Sequence, residues 1–276
     1  MRFAVCNEVF EGLPLSEQFA VAAQLGFDGL EISPFTIATY VTEIPAITRA
    51  EIRAMAEDAG VAVAAIHWVL AKTEGFHVTS PDPAVRRRTV DYLRALVDFG
   101  VDIGAGAMVV GSPLQRKVLP DVTYAEAWGW FAEAMAAAGA HGASAGFKIC
   151  IEPLCVEADN NFIFKAFEAA KMAREIGLPN VGVILDTYSA SRTEEDVAAA
   201  IRHTGPLLFH YHCNDLNKRA PGWGRVDFAP ILRALLDIGF GGFCSIEVFD
   251  FSIEPREHVG RGLAYLKECL ALAEKP

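Results

Sequence analysis

Residues 181–187 read VGVILDT, and three similar apolar runs lie around them: KICIEP at 148–153, LLFHYHCND at 207–215 and FCSIEVF at 243–249. Each run is followed by polar or turn residues and then by a longer stretch of Ala, Leu and charged residues. Short apolar runs of this kind are typical of strands that are buried on both faces of a parallel sheet. The second half of the chain therefore predicts consecutive units of one strand and one helix.

The same alternation extends outward over the whole chain and gives eight repeats. Strands are expected near residues 2–6, 28–33, 61–68, 106–112, 148–153, 181–187, 207–214 and 243–249. Helices are expected near residues 15–25, 48–59, 83–100, 121–144, 161–177, 193–203, 227–238 and 255–273. Six glycines are expected to end the helices before strands: Gly26, Gly60, Gly100, Gly146, Gly177 and Gly239.

We therefore predict an α/β fold, a single (β/α)8 TIM barrel that spans residues 1–276 as one domain. About 250 residues is the usual size of such a barrel, and its active site lies at the C-terminal ends of the strands. The main alternative is an open, doubly wound sheet. The chain has neither a GxGxxG after the first strand nor a GxxxxGK[ST], which are the nucleotide-binding signatures of such sheets.

Composition excludes several classes of function. The chain is 52% hydrophobic and carries a formal charge of −11 without a dense stripe of Lys and Arg, so nucleic acid is not expected as a partner. No apolar run approaches the roughly 20 residues of a membrane span. The first residues, MRFAVCNEVFEG, lack the long apolar stretch of a signal peptide, which predicts a cytoplasmic protein. The six cysteines show no CxxC and are expected to be reduced core residues.

Four side chains fall at or near the ends of the last four predicted strands: Glu152, Asp186, His212 and Glu247. The C-terminal ends of barrel strands form a ring, so these side chains are expected to converge. Any one of them alone would more commonly form a structural ion pair or a hydrogen-bonded strand end. Four together favour a divalent metal, because a buried carboxylate without a partner is costly.

The donor types narrow the choice of metal. Three carboxylates and one imidazole suit Mn²⁺, with Mg²⁺ or Co²⁺ as alternatives, whereas a structural zinc would be expected to use cysteine or more imidazole. His210 and His212 share one face of the seventh strand, so either could be the ligand. His212 is preferred because it lies nearer the C-terminal end.

Five motifs resemble a known family: IEP at 151–153, LDT at 185–187, HYHCND at 210–215, RAPGWG at 219–224 and SIEVF at 245–249. The chain resembles the sugar isomerase and epimerase barrels related to xylose isomerase and to ketose 3-epimerases such as D-tagatose 3-epimerase. The resemblance implies that Glu152, Asp186, His212 and Glu247 bind the metal, that Glu152 and Glu247 also act as the acid/base pair, and that Arg219 holds the substrate.

One departure from the family pattern concerns the residue three positions after the strand-six aspartate. Ketose 3-epimerases usually carry DTxH there, whereas residues 186–189 read DTYS, which places Ser189 at the histidine position. His67, at the end of the third predicted strand, could supply a substitute imidazole or could be a hydrogen-bonded barrel histidine.

Further substrate contacts are weaker predictions. Glu31 ends the second strand and Glu157 follows the fifth, and both could contact substrate or could be surface or capping carboxylates. Trp68 and Trp223 could stack on the apolar face of a sugar, or could simply contribute buried area.

The expected reaction is an isomerisation or epimerisation of a small carbohydrate. A metal polarises the substrate carbonyl, one carboxylate removes the proton from the neighbouring carbon to give an enediolate, and the other returns a proton from the opposite face. The same first step serves a lyase or dehydratase that acts on a keto-cyclitol or an oxidised (3-keto) glycoside. A hydrolase like the DNA-repair endonucleases would need more histidines and a basic face. The sequence also leaves open a non-catalytic barrel in which the four residues bind only a structural ion. A homo-oligomer is possible as well.

Overall fold

Eight parallel strands close into one barrel in a computed structural model that describes residues 1–275. The strands are β1 (Arg2–Cys6), β2 (Gly29–Ile32), β3 (Ala62–Ile66), β4 (Ala107–Val110), β5 (Lys148–Ile151), β6 (Val181–Asp186), β7 (Leu208–Cys213) and β8 (Phe243–Ile246). Each strand pairs with the next along the chain, and β8 pairs with β1. The predicted (β/α)8 TIM barrel is confirmed. Pro276, the last residue of the predicted domain, lies outside the described residues.

Helices surround the barrel. They are α1 (Leu15–Leu25), α2 (Ala46–Ala59), α3 (Pro83–Asp102), α4 (Tyr124–Gly142), α5 (Ala166–Ile176), α6 (Thr187–Thr193), α7 (Val197–Thr204), α8 (Ala229–Asp237) and α9 (Pro255–Ala273). The sequence predicts one helix fewer, because α6 follows β6 directly. Asp186 is the last residue of β6 and also the N-cap of α6, because its side chain accepts a hydrogen bond from the backbone N–H of Ser189 at 2.7 Å. The helix α6 therefore begins where the sequence predicts a loop.

The helix-ending glycines are confirmed at five positions, where φ is positive, and the prediction is wrong for Gly100. Gly100 lies inside α3 and packs against the ring of Phe147. A Cβ at this position would lie 2.6 Å from Phe147 Cζ, so the helix needs glycine here for close packing rather than for a turn.

The strand register sets the height of each polar side chain in the barrel. Asp186 pairs with His212, and His212 pairs with Ser245, so consecutive strands bring these side chains to one level. Glu152 and Glu247 each stand one residue beyond the end of their strands, β5 and β8.

All six cysteines are buried and none forms a disulfide. Within residues 1–275, none of the helices has the length and apolar character that a membrane span requires.

Candidate functional site

The four predicted metal ligands lie together at the C-terminal end of the barrel. One ligand atom from each of Glu152, Asp186 and His212 lies within 4.8 Å of the others. His212 Nδ1 is 3.2 Å from Glu247 Oε2 and 3.9 Å from Glu152 Oε1. All four side chains are buried. Three carboxylates therefore surround one edge of a single imidazole.

The crowding of buried carboxylates changes their proton affinity. Burial above all, together with the carboxylates of Glu247 and Asp186, raises the pKa of Glu152 to about 8, although His212 and Arg116 oppose this. Burial and Glu247 likewise raise the pKa of Asp186 to about 6. The pKa of Glu247 is lowered instead, because His212 outweighs the effect of burial. The site concentrates negative charge that the protein itself only partly compensates.

These residues fit a divalent cation. His212 Nδ1 is buried and lies beside the carboxylates, but it is not aligned for a hydrogen bond with any described residue. A buried ring nitrogen without a partner is uncommon, and it faces the oxygen atoms with which it would share an ion. Oxygen donors with one imidazole suit Mn²⁺, Mg²⁺ or Co²⁺.

Gly111, which follows β4, makes room for Glu152. A Cβ at this position would lie 1.7 Å from Glu152 Oε2 and 2.9 Å from its carboxyl carbon, so any side chain would displace the carboxylate. Sequence reasoning missed this residue. Its only signal is a glycine directly after a predicted strand, and nothing in the sequence connects it with Glu152.

Asp186 is held by two hydrogen bonds. Its Oδ1 accepts the backbone N–H of Ser189, and its Oδ2 accepts from Asn214 Nδ2 at 2.5 Å. Asn214 Oδ1 in turn accepts the backbone N–H of Tyr188 at 2.8 Å. Asn214 therefore orients Asp186. Neighbouring Asp215 accepts backbone N–H groups of the loop after β7, including that of Gly224.

A second layer of buried polar groups lies below this cluster. Glu31 is fully buried and accepts hydrogen bonds from His210 Nε2 at 2.7 Å and His212 Nε2 at 3.1 Å. His67 Nδ1 lies 3.5 Å from Glu31 Oε1. The three imidazoles lower the pKa of Glu31 although burial opposes this. The structure thus places Glu31 beneath the cluster, whereas the sequence suggested a substrate contact.

His67 joins this lower layer to the space above. Its Nε2 lies 3.0 Å from both Glu8 Oε2 and Ser33 Oγ. Burial disfavours the charged ring, but Glu8 and Glu31 raise the pKa of His67 to about 9, so the ring is an imidazolium at neutral pH. The structure therefore places His67 as a hydrogen-bonded barrel histidine that also lines the cavity above the cluster, and its part as a substitute imidazole stays a prediction.

A cavity of about 280 Å³ opens above the four residues. Its lining includes the following side chains besides the cluster itself: His67, Trp68, Val109, Ser112, Pro113, Leu154, Glu157, Tyr188, Ser189, Lys218 and Phe249. Trp68 adopts the left-handed conformation with φ of 53°, which is rare for a bulky residue, and its Nε1 donates to Glu247 Oε1 at 3.1 Å. The wall is mostly apolar, and its floor is anionic.

The other predicted substrate contacts divide into two groups. Glu157 lines the cavity. Arg219 and Trp223 are not among the lining residues within the described part of the chain. Arg219 Nε donates to Asp250 Oδ2 at 2.7 Å, and Trp223 packs against His258 and donates to its carbonyl oxygen. Lys218, which precedes Arg219, reaches the cavity instead.

Ser189 occupies the position of the DTxH histidine. It lines the cavity, and its hydroxyl donates to Cys155 Sγ at 3.7 Å. Besides His212, His67 is the imidazole that lines the cavity within residues 1–275.

Comparisons with known proteins show the family of this chain. The family model of the xylose isomerase-like TIM barrel matches residues 19–269, and the chain belongs to that family. Among curated relatives, a D-psicose 3-epimerase of Ruminiclostridium cellulolyticum is 29% identical over 231 residues, which cover 82% of this chain and 75% of the relative. The family resemblance drawn from the sequence is confirmed.

Two solved structures share the fold. A crystal structure of a D-psicose 3-epimerase in the presence of D-fructose has a TM-score of 0.85 at 23% identity, covering 98% of this chain and 99% of its own. The apo structure of a 3-keto-D-glucoside 4-epimerase from Escherichia coli has a TM-score of 0.82 at 20% identity, covering 98% and 100%.

Proposed function

We propose that this chain is a divalent-metal-dependent epimerase of a small carbohydrate that contains a ketone. The observation that carries the proposal is the position of Glu152 and Glu247, which directly follow β5 and β8 and whose carboxylates approach the same nitrogen, His212 Nδ1, at 3.9 and 3.2 Å. Two carboxylates that flank one point on the floor of a cavity suit removal of a proton and its return.

Glu152, Asp186, His212 and Glu247 would hold the ion. A bound divalent cation would polarise the substrate carbonyl and stabilise the negative charge that develops when the neighbouring carbon loses its proton. Mn²⁺ is the proposed ion, and Mg²⁺ and Co²⁺ are the alternatives. Reconstitution of the metal-stripped protein with each ion, followed by a rate measurement, identifies the metal.

The side chains of this site have distinct tasks. One of Glu152 and Glu247 removes the carbon-bound proton, and the other delivers a proton to the opposite face of the same carbon. His67, which lines the cavity, is the proposed replacement for the absent DTxH histidine. The apolar wall of Trp68, Leu154 and Phe249 excludes water and contacts the carbon skeleton.

The relatives favour an epimerase over the lyase that the sequence left as an alternative. The curated relative and the two structural neighbours described above are all named as epimerases. Lys218 is the one Lys or Arg among the lining residues described, which supports a neutral rather than a phosphorylated substrate. The homo-oligomer and the cytoplasmic location stay predictions, and light scattering tests the first.

Proton NMR in D₂O tests the proposal on the manganese-loaded protein with ketoses, keto-cyclitols and 3-keto-glycosides. Deuterium beside the carbonyl together with a new stereoisomer is the expected result. Loss of water or of an aglycone would replace the proposal with the lyase. Glu152→Gln and Glu247→Gln should each lower turnover by about 10²–10⁴-fold, the usual contribution of a positioned acid or base.

Glu51→Gln is the control. It removes an exposed carboxylate on α2, which is not among the lining residues of the cavity, so its turnover should stay within a few-fold of the unmodified protein. Normal turnover in either Glu152→Gln or Glu247→Gln would exclude the acid/base pair.

A further inference from the structure

Glu31 is a carboxylate shared by two histidines. Its Oε2 accepts from His210 Nε2 at 2.7 Å, and its Oε1 accepts from His212 Nε2 at 3.1 Å. The residue is 0% exposed, and β2 holds its backbone one residue before the end of the strand. Solvent does not reach this carboxylate, and its close polar neighbours include these two imidazoles, that of His67 and the thiol of Cys6.

These contacts fix the proton on His212. A carboxylate accepts hydrogen bonds, so the Nε2 atom beside Glu31 carries the hydrogen. In the neutral ring the lone pair then lies on Nδ1, which is the atom 3.2 Å from Glu247 and 3.9 Å from Glu152. Nδ1 is also the buried nitrogen without a hydrogen-bond partner.

His210 differs from His212 in one respect. Its Nε2 is bonded to Glu31 and also lies 3.2 Å from Ser245 Oγ, so this nitrogen is already engaged by two partners. The group of Glu152, Asp186 and His212 does not include His210.

We propose that Glu31 is the positioning residue of the metal site, because it accepts a hydrogen bond from both histidines and thereby presents His212 Nδ1 to the ion while keeping His210 out of the ligand set. This inference rests on the metal site of the proposed function. A carboxylate that orients a metal-binding imidazole typically changes metal affinity by about 10–100-fold when it is removed.

A different cation position competes with this assignment. Atoms of Glu31, His210 and His212 also lie within 4.8 Å of one another and could themselves surround an ion. The separations of 2.7 and 3.1 Å are those of N–H···O hydrogen bonds. An ion at that position would also leave His212 Nδ1 unpaired beside three carboxylates.

Glu31→Gln tests the proposal. The glutamine amide offers one acceptor oxygen and one donor NH₂ group, so it can accept from one histidine only. The dissociation constant of Mn²⁺, measured from the electron paramagnetic resonance signal of free Mn²⁺, should rise by about 10–100-fold. Ser245→Ala and Glu8→Gln are the controls, since neither side chain is bonded to His212, and both should bind Mn²⁺ within about threefold of the unmodified protein.

Nitrogen-15 NMR of the histidine rings gives a readout that a purely structural role would not change. In the metal-free, unmodified protein, at a pH at which the His212 ring is neutral, His212, assigned by the loss of its signals in His212→Gln, should carry hydrogen on Nε2 and none on Nδ1, and in Glu31→Gln the two tautomers should mix. A hydrogen found only on Nδ1 in the unmodified protein would overturn the proposal, even if Glu31→Gln failed to fold.

His210→Gln separates the two cation positions. The proposal expects Mn²⁺ affinity close to that of the unmodified protein, whereas an ion held by Glu31, His210 and His212 would be lost. Unchanged Mn²⁺ affinity in folded Glu31→Gln also contradicts the proposal. None of these measurements needs turnover, so a failure of the proposed epimerase activity would not be mistaken for a failure of this inference.

Discussion

Gly111 and Glu152 show how one backbone position controls a reactive side chain. A methyl group at Gly111 would lie 1.7 Å from Glu152 Oε2, a separation that atoms cannot adopt, so Gly111→Ala must move the carboxylate. Misplacement of a reacting group by about 1 Å costs roughly 10²-fold in rate. We expect kcat/KM of Gly111→Ala to fall by about that factor and Mn²⁺ binding to weaken, as measured by steady-state kinetics and by titration.

Gly129→Ala provides the comparison for that variant. Gly129 lies within α4, and a Cβ there meets no atom within 4 Å. Alanine in an open helical position stabilises a helix by about 0.5–1 kcal/mol relative to glycine, so this variant should melt slightly higher and keep its rate. Equal rates for Gly111→Ala and Gly129→Ala would show that Glu152 is not held as the structure indicates.

The sequence predicts single residues well where the strand pattern alone decides their position. Glu152, Asp186, His212 and Glu247 meet because each lies at or near the end of its strand. Arg219 and Trp223 fall outside the cavity because a hydrogen bond to Asp250 and packing on His258 hold them elsewhere. Those contacts join residues far apart in sequence, and no periodicity in the chain encodes them.

At the scale of elements, the distance from the strand end decides the role of a carboxylate. Glu31 is the third of the four residues of β2 and pairs with Cys6, so it lies inside the barrel, below the mouth. Glu152 and Glu247 stand one residue past their strands and reach the cavity floor. A sequence pattern locates strand ends only to within a residue or two, which is why the sequence leaves Glu31 open as a substrate contact or as a surface or capping carboxylate.

The start of α6 depends on a contact from the neighbouring strand. Asn214, which directly follows β7, accepts the backbone N–H of Tyr188 in the first turn of α6 and donates to Asp186, the N-cap. Asn214→Ala removes both bonds and leaves buried groups without partners, which costs about 1–3 kcal/mol each. We expect the free energy of unfolding in urea to fall by at least about 1 kcal/mol and Mn²⁺ binding to weaken.

Asn217→Ala is the control for that prediction. Asn217 also bonds to the backbone, at Trp223 and Arg219, but it is exposed, so water can replace its bonds. Its unfolding free energy should change by about 0.5 kcal/mol or less. A loss in Asn214→Ala no larger than this would mean that α6 does not depend on Asn214.

At the scale of the whole molecule, the eight-fold alternation was sufficient to predict the barrel, because each repeat must bury its strand against two neighbours and only closure leaves no edge. The charge of the carboxylates at the mouth of the barrel could not be quantified from the sequence, because their ionisation depends on burial.

Binding of an ion to this site should stabilise the fold. At an ion concentration of about 100 times the dissociation constant, the free energy of unfolding should rise by about 2.7 kcal/mol. Mn²⁺ should therefore raise Tm, and a chelator should reverse the rise. A Tm that does not respond to Mn²⁺ would contradict a metal site here.

Without metal, the same charge makes stability depend on pH through Glu152. Burial raises its pKa from 4.5 to about 8, so between these values the folded protein binds a proton that the unfolded chain does not. Stability from this group is therefore complete below about pH 4.5 and is lost as the pH rises toward 8. Glu152→Gln lacks this titration, and the difference isolates Glu152 from other groups. We expect the Tm of the metal-free, unmodified protein to fall relative to that of metal-free Glu152→Gln between pH 5 and pH 8, measured by calorimetry. Parallel curves would show that Glu152 is ionised throughout this range, and that the crowded carboxylates of the structure are compensated in some other way.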